Sequence, residues 1–164
     1  MSRSARPART AVVATGAVAA AALLAACSPT TTVLPYAPSD GARVNLTDSV
    51  RGINLMVVSE GDGAPGALLG ALANDSGEDV SFELATAGND TVSLVVPAGE
   101  TVYLSAPDQP EQSVDARLGA IDTYPGGELD ATLSGAGVDE EFGLPVFDGT
   151  LPEYAPYVPD ALVS

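Results

Sequence analysis

Apolar and polar residues alternate along most of the chain after about residue 43, with the period of two that places successive side chains on opposite faces of a β-strand. The clearest run is Val80 to Leu84, in which every second residue is apolar. Two earlier runs, Ile53 to Val58 and Leu68 to Ala73, have apolar residues on both faces, as is typical of central strands covered on both sides. Further alternating runs lie at Val92 to Val96, Val102 to Leu104, Leu129 to Leu133 and Phe142 to Val146.

Turn-forming residues separate these runs at intervals of about eight to twelve residues, the spacing of strands in a sandwich. Glycine adopts the positive φ of tight turns without strain, and Asn and Asp tolerate it. The turns lie at Glu60–Gly63, Asn74–Gly77, Gly88–Asp90, Pro97–Gly99, Pro125–Gly127 and Gly135–Gly137. No helical period is evident after residue 42, so residues 43–149 are predicted to form an all-β domain, a two-sheet β-sandwich of about seven to nine short antiparallel strands.

The first 26 residues have a different character. Arg3, Arg6 and Arg9 precede an uncharged, alanine-rich run that ends in small residues, which is the three-part layout of a secretory signal peptide. The apolar run from Ala11 to Ala26 is shorter than the about 20 residues that a membrane-spanning helix needs. Residues 1–26 are therefore predicted to be a cleaved signal peptide.

The signal ends in Leu24-Ala25-Ala26-Cys27. This tetrapeptide resembles the lipobox of bacterial lipoproteins, which implies that the signal peptidase recognises Leu24, Ala25 and Ala26, and that Cys27 is diacylated and becomes the first mature residue. Two acyl chains anchor a protein stably. The alternative is a secreted protein with a chance cysteine, but Cys27 is the only cysteine in the chain. We expect a lipid-anchored protein on the extracytoplasmic face of the cell membrane.

The chain is strongly acidic, with 22 acidic and six basic residues. Loss of residues 1–26 removes three arginines and no acidic residue, which leaves a net charge of −19. Phosphate backbones and anionic headgroups repel such a chain, so nucleic-acid binding is excluded and membrane association depends on the lipid. Of the remaining cations, Arg51 and Arg117 are expected to pair with neighbouring carboxylates.

Proline and tyrosine recur on both sides of the predicted domain. Residues 27–42 are predicted to be the lipidated cysteine and a flexible tether, and residues 150–164 a Pro/Tyr-rich tail without helix or strand. Tyr-Ala-Pro occurs in both segments, beginning at Tyr36 and at Tyr154. Two interpretations stay open: extended segments that lie against the sandwich or in solvent, or a docking surface for an envelope protein that uses Tyr36, Tyr154 and Tyr157.

Residues suited to common chemistry are scarce. The chain has no histidine, so no Ser-His or Cys-His arrangement exists, and we predict no enzyme, small-molecule substrate or cofactor. Two acidic groups, Asn74-Asp75 with Glu78-Asp79 and the run Asp139 to Glu141, offer oxygen ligands for Ca²⁺, although strand turns use the same residues. No specific metal site is predicted. Met56 stands in an apolar strand and is expected to pack in the core.

The stretch from Leu68 to Asp148 resembles the periplasmic copper-chaperone family PCuAC. The similar motifs are, in chain order, Ala73–Asp79, Val96–Leu104, Gly127–Leu133 and Pro145-Val146. The resemblance implies a cupredoxin-like, and hence immunoglobulin-like, sandwich. That family binds copper through histidine and methionine, but Thr86-Ala87 and Gln112–Val114 stand at the corresponding positions, so the resemblance carries the fold and no ligand.

The whole mature chain, including Tyr36 to Gly41 and Leu68 to Leu72, is similar to the LpqE-type lipoproteins of actinobacteria. That resemblance implies an envelope lipoprotein without an established reaction. We therefore expect a non-catalytic, membrane-anchored interaction module with an unidentified envelope protein as its partner. The alternative is a metal-handling protein, either remotely copper-chaperone-like or a Ca²⁺ binder.

The variant Cys27→Ala is expected to lose all incorporation of a fatty-acid probe and to be released or mis-sorted, because the thiol that carries the lipid is absent. Metabolic labelling followed by envelope fractionation measures both effects. Ser28→Ala, one residue beyond the cleavage site, is the matched control and keeps the label. Persistent labelling of the Cys27→Ala chain would contradict the predicted anchor.

Overall fold

The computed structural model describes residues 39–89, 91–106 and 110–159. These residues form ten β-strands and one short 3-10 helix at Ala155–Tyr157. Within the described ranges, no helix is long and apolar enough to cross a membrane. The strands are β1 (Ala42–Asn45), β2 (Val50–Val58), β3 (Ala64–Asn74), β4 (Val80–Thr86), β5 (Val92–Val96), β6 (Glu100–Leu104), β7 (Ser113–Val114), β8 (Arg117–Ile121), β9 (Glu128–Gly135) and β10 (Val138–Phe147).

The strands form one curled mixed sheet that folds into two layers, so the predicted all-β, sandwich-like fold is confirmed. The order is β5-β4-β9-β10-β2-β3-β6-β7, with β1 added to β2 and β8 added to β3. Strand β10 connects the layers: it runs antiparallel to β9 from Val138 to Pro145, and its last residues, Val146 and Phe147, pair in parallel with β2. We call the layer that contains β2 and β3 sheet A and the layer that contains β4 and β9 sheet B.

The structure adds two details to the predicted sheet. The described part of the chain has ten strands rather than seven to nine, because β1 and β7 are too short to show a period of two. Two strand pairs, β10 with β2 and β6 with β7, are parallel rather than antiparallel. Hydrophobic periodicity fixes which side of a strand is buried but contains no information about strand direction.

The main core lies between the two layers and contains the inward alternates that the sequence pattern predicts. In β4, buried and exposed positions alternate from Val80 to Thr86 without interruption. The largest fully buried side chains include Phe82, Leu55, Leu68 and Leu133. Each such side chain contributes about 1.5–3 kcal/mol on burial, which is the main source of stability in a domain without a disulfide.

A second, smaller core covers the outer face of sheet A. Met56, Val58, Ala67 and Leu69 from β2 and β3 pack there against Tyr154, together with the partly buried Phe147, Tyr157 and Val158. The two runs predicted to be apolar on both faces are therefore buried on both faces, and Met56 packs as expected, with 2% of its surface exposed. The layer that covers them is the C-terminal segment, residues 148–159, which forms turns and one 3-10 turn.

Turns and surface ion pairs follow the sequence expectations. Within the described residues, the predicted turns lie where one strand ends and the next begins, as at Gly135–Gly137, where Gly135 is the last residue of β9 and β10 begins at Val138. Arg51 Nη2 lies 2.6 Å from Asp75 Oδ2, and Arg117 Nε lies 3.0 Å from Asp115 Oδ2. Exposed pairs of this kind contribute less than about 1 kcal/mol, so they adjust the surface and do not hold the fold.

A bulge at Asn54 interrupts the central strand pair. Asn54 has φ +53° and Gly70, across from it on β3, has φ +125°. The register between β2 and β3 shifts between Ile53 and Met56. A Cβ atom on Gly70 would lie 2.7 Å from the Asn54 carbonyl oxygen and 2.8 Å from that of Ile53, so only glycine fits at this position.

The variant Gly70→Ala is expected to lower the free energy of unfolding by about 2 kcal/mol or more, because it adds a backbone clash to an unfavourable positive φ. Urea denaturation followed by circular dichroism measures the change. The matched control is Gly77→Ala, where a Cβ atom would meet no neighbour within 4 Å, and its expected effect is within about 0.5 kcal/mol. Equal stabilities of the two variants would contradict the close approach at the bulge.

Candidate functional site: the surface around Tyr157

The two ends of the described domain meet beside the Asn54 bulge. The phenol of Tyr154 donates a hydrogen bond of 2.5 Å to Asp40 Oδ2. The next residue, Gly41, donates its backbone N–H to Asn54 Oδ1 at 2.8 Å. A Cβ atom on Gly41 would lie 2.5 Å from the Asn54 carbonyl carbon, so the entering chain lies directly on the bulge. We call these four residues, Asp40, Gly41, Asn54 and Tyr154, the clasp.

Tyr154 is an internal residue of this domain. Its side chain is 8% exposed, and its ring centroid lies 5.2 Å from that of Phe147 with the two planes tilted by 33°. Burial raises the pKa of Tyr154 to about 12, and the hydrogen bond to Asp40 and the negative charge of that carboxylate act in the same direction. The phenol is therefore neutral at physiological pH and donates its hydrogen bond to Asp40.

Tyr157 stands at the surface between two small clefts. One cleft, of about 290 Å³, lies between Tyr157 and Pro156 on one side and Ala67, Ala106 and Pro110 on the other. Asp115 and Arg117 form its polar rim. Its volume lies at the lower limit of small-ligand pockets, which begin at about 300 Å³. The cleft is therefore closer in size to one large side chain than to a cofactor.

The second cleft lies on the other side of Tyr157 and adjoins the clasp. It has a volume of about 280 Å³ and is lined in part by Asn54, Leu69, Glu153 and Tyr154. Tyr157 itself is half-buried, so its position is fixed by the second core while part of the ring stays accessible. We call Tyr157 and the walls of these two clefts the Tyr157 surface.

The structure separates the residues predicted to contact a partner. Tyr154 makes its contacts within the chain, and Tyr157 lies at an accessible surface next to it. Tyr36 lies outside the described residues, as do Cys27 and the peptidase-recognition residues Leu24, Ala25 and Ala26. Sequence reasoning missed Asp40 and Asn54, because an Asp-Gly step and an Asn within an apolar strand look like an ordinary turn and an ordinary polar interruption.

In the first group considered as a Ca²⁺ site, Asn74-Asp75 with Glu78-Asp79, three of the four side chains make contacts within the domain. Asn74 is fully buried, and its amide nitrogen donates to the carbonyls of Glu78, Val96 and Pro97. Its Oδ1 already accepts hydrogen bonds from the backbone and hydroxyl of Ser76. The neighbouring Asp75 and Asp79 are engaged as well, with Arg51 and with the Ala98 amide.

The second acidic group, Asp139 to Glu141, extends along the exposed part of β10 rather than occupying a turn. Successive side chains of a strand point to opposite faces, so Asp139 and Glu141 share one face and Glu140 points to the other, and the three carboxylates do not converge on one point. Within the described residues, no three or more His, Cys, Asp or Glu side chains are grouped to hold a metal ion.

The position that the copper-chaperone resemblance gives to a histidine lies at the end of β4. Thr86 and Ala87 border an open depression of about 590 Å³ whose other walls include Asp130, Thr132 and Glu141. These side chains provide oxygen donors only, and Cu(I) is selected by soft sulfur and imidazole ligands. The donor set of this depression therefore does not match copper.

No protein-family model matches the chain, and no curated protein is significantly similar to it. A fold by itself does not define a function. Function is therefore inferred from the residues and contacts of the chain itself.

The variant Tyr154→Phe is expected to remove the hydrogen bond to Asp40 at a cost of about 1 kcal/mol at neutral pH, because the ring keeps its packing. The substitution also changes how the free energy of unfolding depends on pH in the alkaline range. The native chain loses stability as the pH rises from about 10, where the unfolded phenol ionises, through about 12, where the folded one does. Tyr154→Phe lacks this loss, which urea denaturation between pH 7 and 11.5 measures.

The control for this comparison is Tyr124→Phe, which changes a phenol that is 68% exposed. It should retain both the neutral stability and the alkaline decline of the native chain. An alkaline decline that is identical in Tyr154→Phe and in the native chain would show that the clasp phenol does not titrate as described.

Proposed function

We propose that the protein is a lipid-anchored, non-catalytic interaction module of the cell envelope. In this proposal a diacylated Cys27 holds it at the extracytoplasmic face of the cell membrane, and the Tyr157 surface binds another envelope protein. The lipobox-like residues Leu24 to Cys27 and the signal layout before them support the anchor. A relationship to LpqE-type lipoproteins, which we propose from the sequence motifs alone, would imply the same kind of anchor.

The observation that carries the proposal is the clasp. Asp40 and Gly41 are among the first described residues of the domain, and the clasp joins them to the segment that bears Tyr157. A chain that arrives from a membrane anchor thus enters the domain next to the Tyr157 surface. Such a placement favours a partner that is itself at the membrane, because both proteins are confined to the same layer.

The chemistry of the chain also favours binding over catalysis. The chain lacks histidine, and its single thiol belongs to the proposed lipid anchor. The Tyr157 surface offers instead an aromatic ring, two prolines and small apolar side chains. Tyrosine combines a large apolar contact area with a hydrogen-bonding group, which is why it is frequent among residues that dominate protein interfaces.

A photo-crosslinking amino acid placed at position 157 is expected to yield a discrete crosslinked product in intact cells, because Tyr157 touches the partner in this proposal. The same substitution at Tyr124, which is 68% exposed but lies in the loop before β9, is the matched control and should give none. The product from position 157 should disappear when Cys27→Ala is combined with it, because the protein then leaves the membrane layer.

Equal products from both positions, or none from position 157, would contradict a specific partner at this surface.

A separate titration distinguishes the metal-handling alternative. Calorimetry of the purified protein with Cu(I), Cu(II) and Ca²⁺ should show no stoichiometric binding, and a one-to-one complex with any of these ions would favour that alternative.

A further inference from the structure

Strand β5 forms an open edge of the sheet. It stands last in the strand order and pairs with β4 alone among the described strands. Its sequence, Val92 to Val96, contains four apolar residues and one serine, with no charge and no proline. The Val96 carbonyl accepts a hydrogen bond from the Asn74 amide. Among the described residues, no strand pairs with the side of β5 that faces away from β4, so the backbone groups of Val92 to Val95 on that side can pair with another strand.

The other edges are protected by the devices that natural sheets use against pairing. Strand β7 has two residues, and β1 has four residues and includes Arg43. Strand β8 begins with a charged residue, Arg117. The Asn89 side chain also lies close to this strand: a Cβ atom on Gly119 would be 3.2 Å from Asn89 Oδ1. Strand β5 has none of these protections.

The side chains of β5 are arranged to accept a neighbour on both faces. Val92 and Leu94 pack at the margin of the main core and are only partly buried, whereas Val96, on the same face, is completely buried. On the opposite face, Val95 is 59% exposed. An added strand would cover the open sides of Val92 and Leu94 and part of Val95, which gives hydrophobic stabilisation in addition to backbone hydrogen bonds.

The charges near this edge define the chemistry of the strand that it accepts. Glu83 lies directly across from Ser93 on β4, and Glu100 follows the turn after β5. A second copy of this chain, with the same large negative charge, is repelled at such an edge. Glu83 lies two strands away from an incoming strand, about 10 Å at the strand spacing of a sheet. Long basic side chains on the outer face of that strand can extend across the small side chain of Ser93 toward the Glu83 carboxylate.

We propose that the open edge of β5 is a strand-addition site for an extended segment of a partner protein. The segment has apolar residues at every second position, facing the core beside Val92 and Leu94, and basic residues at the positions between them. This inference goes beyond the Tyr157 surface and does not depend on the lipid anchor. It concerns a different layer of the sandwich and relies on backbone pairing rather than on an aromatic side chain.

The test uses the full-length protein in detergent micelles and a synthetic peptide that alternates valine and lysine. Amide hydrogen exchange should slow in Val92 to Val96 when the peptide is added, with little change in β1 or β8. A peptide of the same sequence with its amide nitrogens methylated keeps the charge but cannot pair as a strand. It should give no protection of β5.

Two variants of the protein complete the experiment. Val95→Lys places a cation on the outer face of the edge and should weaken peptide binding by up to about fivefold through like-charge contact across strands. Val114→Lys, at a 40% exposed position on β7, is the matched control and should bind as the native chain does. Both positions are exposed, so neither change is expected to unfold the domain.

Protection of β5 that requires free peptide amides and is weakened by Val95→Lys would support the proposal. Equal effects of the methylated and unmethylated peptides would overturn it, because binding would then be diffuse attraction of a basic peptide to an acidic protein. Protection of β5 that rises with protein concentration in the absence of peptide would overturn it in favour of self-association.

Discussion

The need to cover the outer face of β2 and β3 is the constraint on which the rest of the structure depends. These strands are apolar on both faces, and the sandwich interior buries only one of them. Met56 and Leu69 would otherwise form an exposed apolar patch on a domain without disulfides. The C-terminal segment resolves this by packing Tyr154 and Val158 onto that face. A proline-rich segment suits this role, because it crosses a sheet without competing for its backbone hydrogen bonds.

Covering this face also fixes where the two ends of the domain lie. Once Tyr154 is buried, its hydroxyl needs a hydrogen-bond partner, and Asp40 provides it. The bulge at Asn54 then holds the adjacent Gly41, which requires glycine on both sides of the bulge because the backbones approach so closely. The packing of one tyrosine thus determines the entry point of the chain and, with it, the position of the Tyr157 surface.

Much of this fold could be predicted from local patterns, and the remainder depends on contacts between distant residues. The alternation in β4 predicts that one face of this strand is buried, and the apolar runs in β2 and β3 predict burial on both faces. The burial patterns of the three strands confirm these predictions. The same runs could not say what covers the outer face, because the covering residue Tyr154 lies far along the chain from β2 and β3. The hydrogen bond between Tyr154 and Asp40 joins residues 114 positions apart and is likewise invisible to local patterns. Short strands such as β7 contain too few residues to show any period.

The two surfaces proposed for binding differ in a way that the sheet order explains. Strand β5 ends one side of the order, in sheet B, whereas the Tyr157 surface lies on the outer face of sheet A, where the C-terminal segment already occupies the centre. A covered face can bind only through the side chains that its cover leaves accessible, and the proposed contact residue among them is Tyr157. An uncovered edge binds through its backbone and is therefore less selective for sequence, so selectivity at β5 has to come from the alternation and charge of the incoming strand.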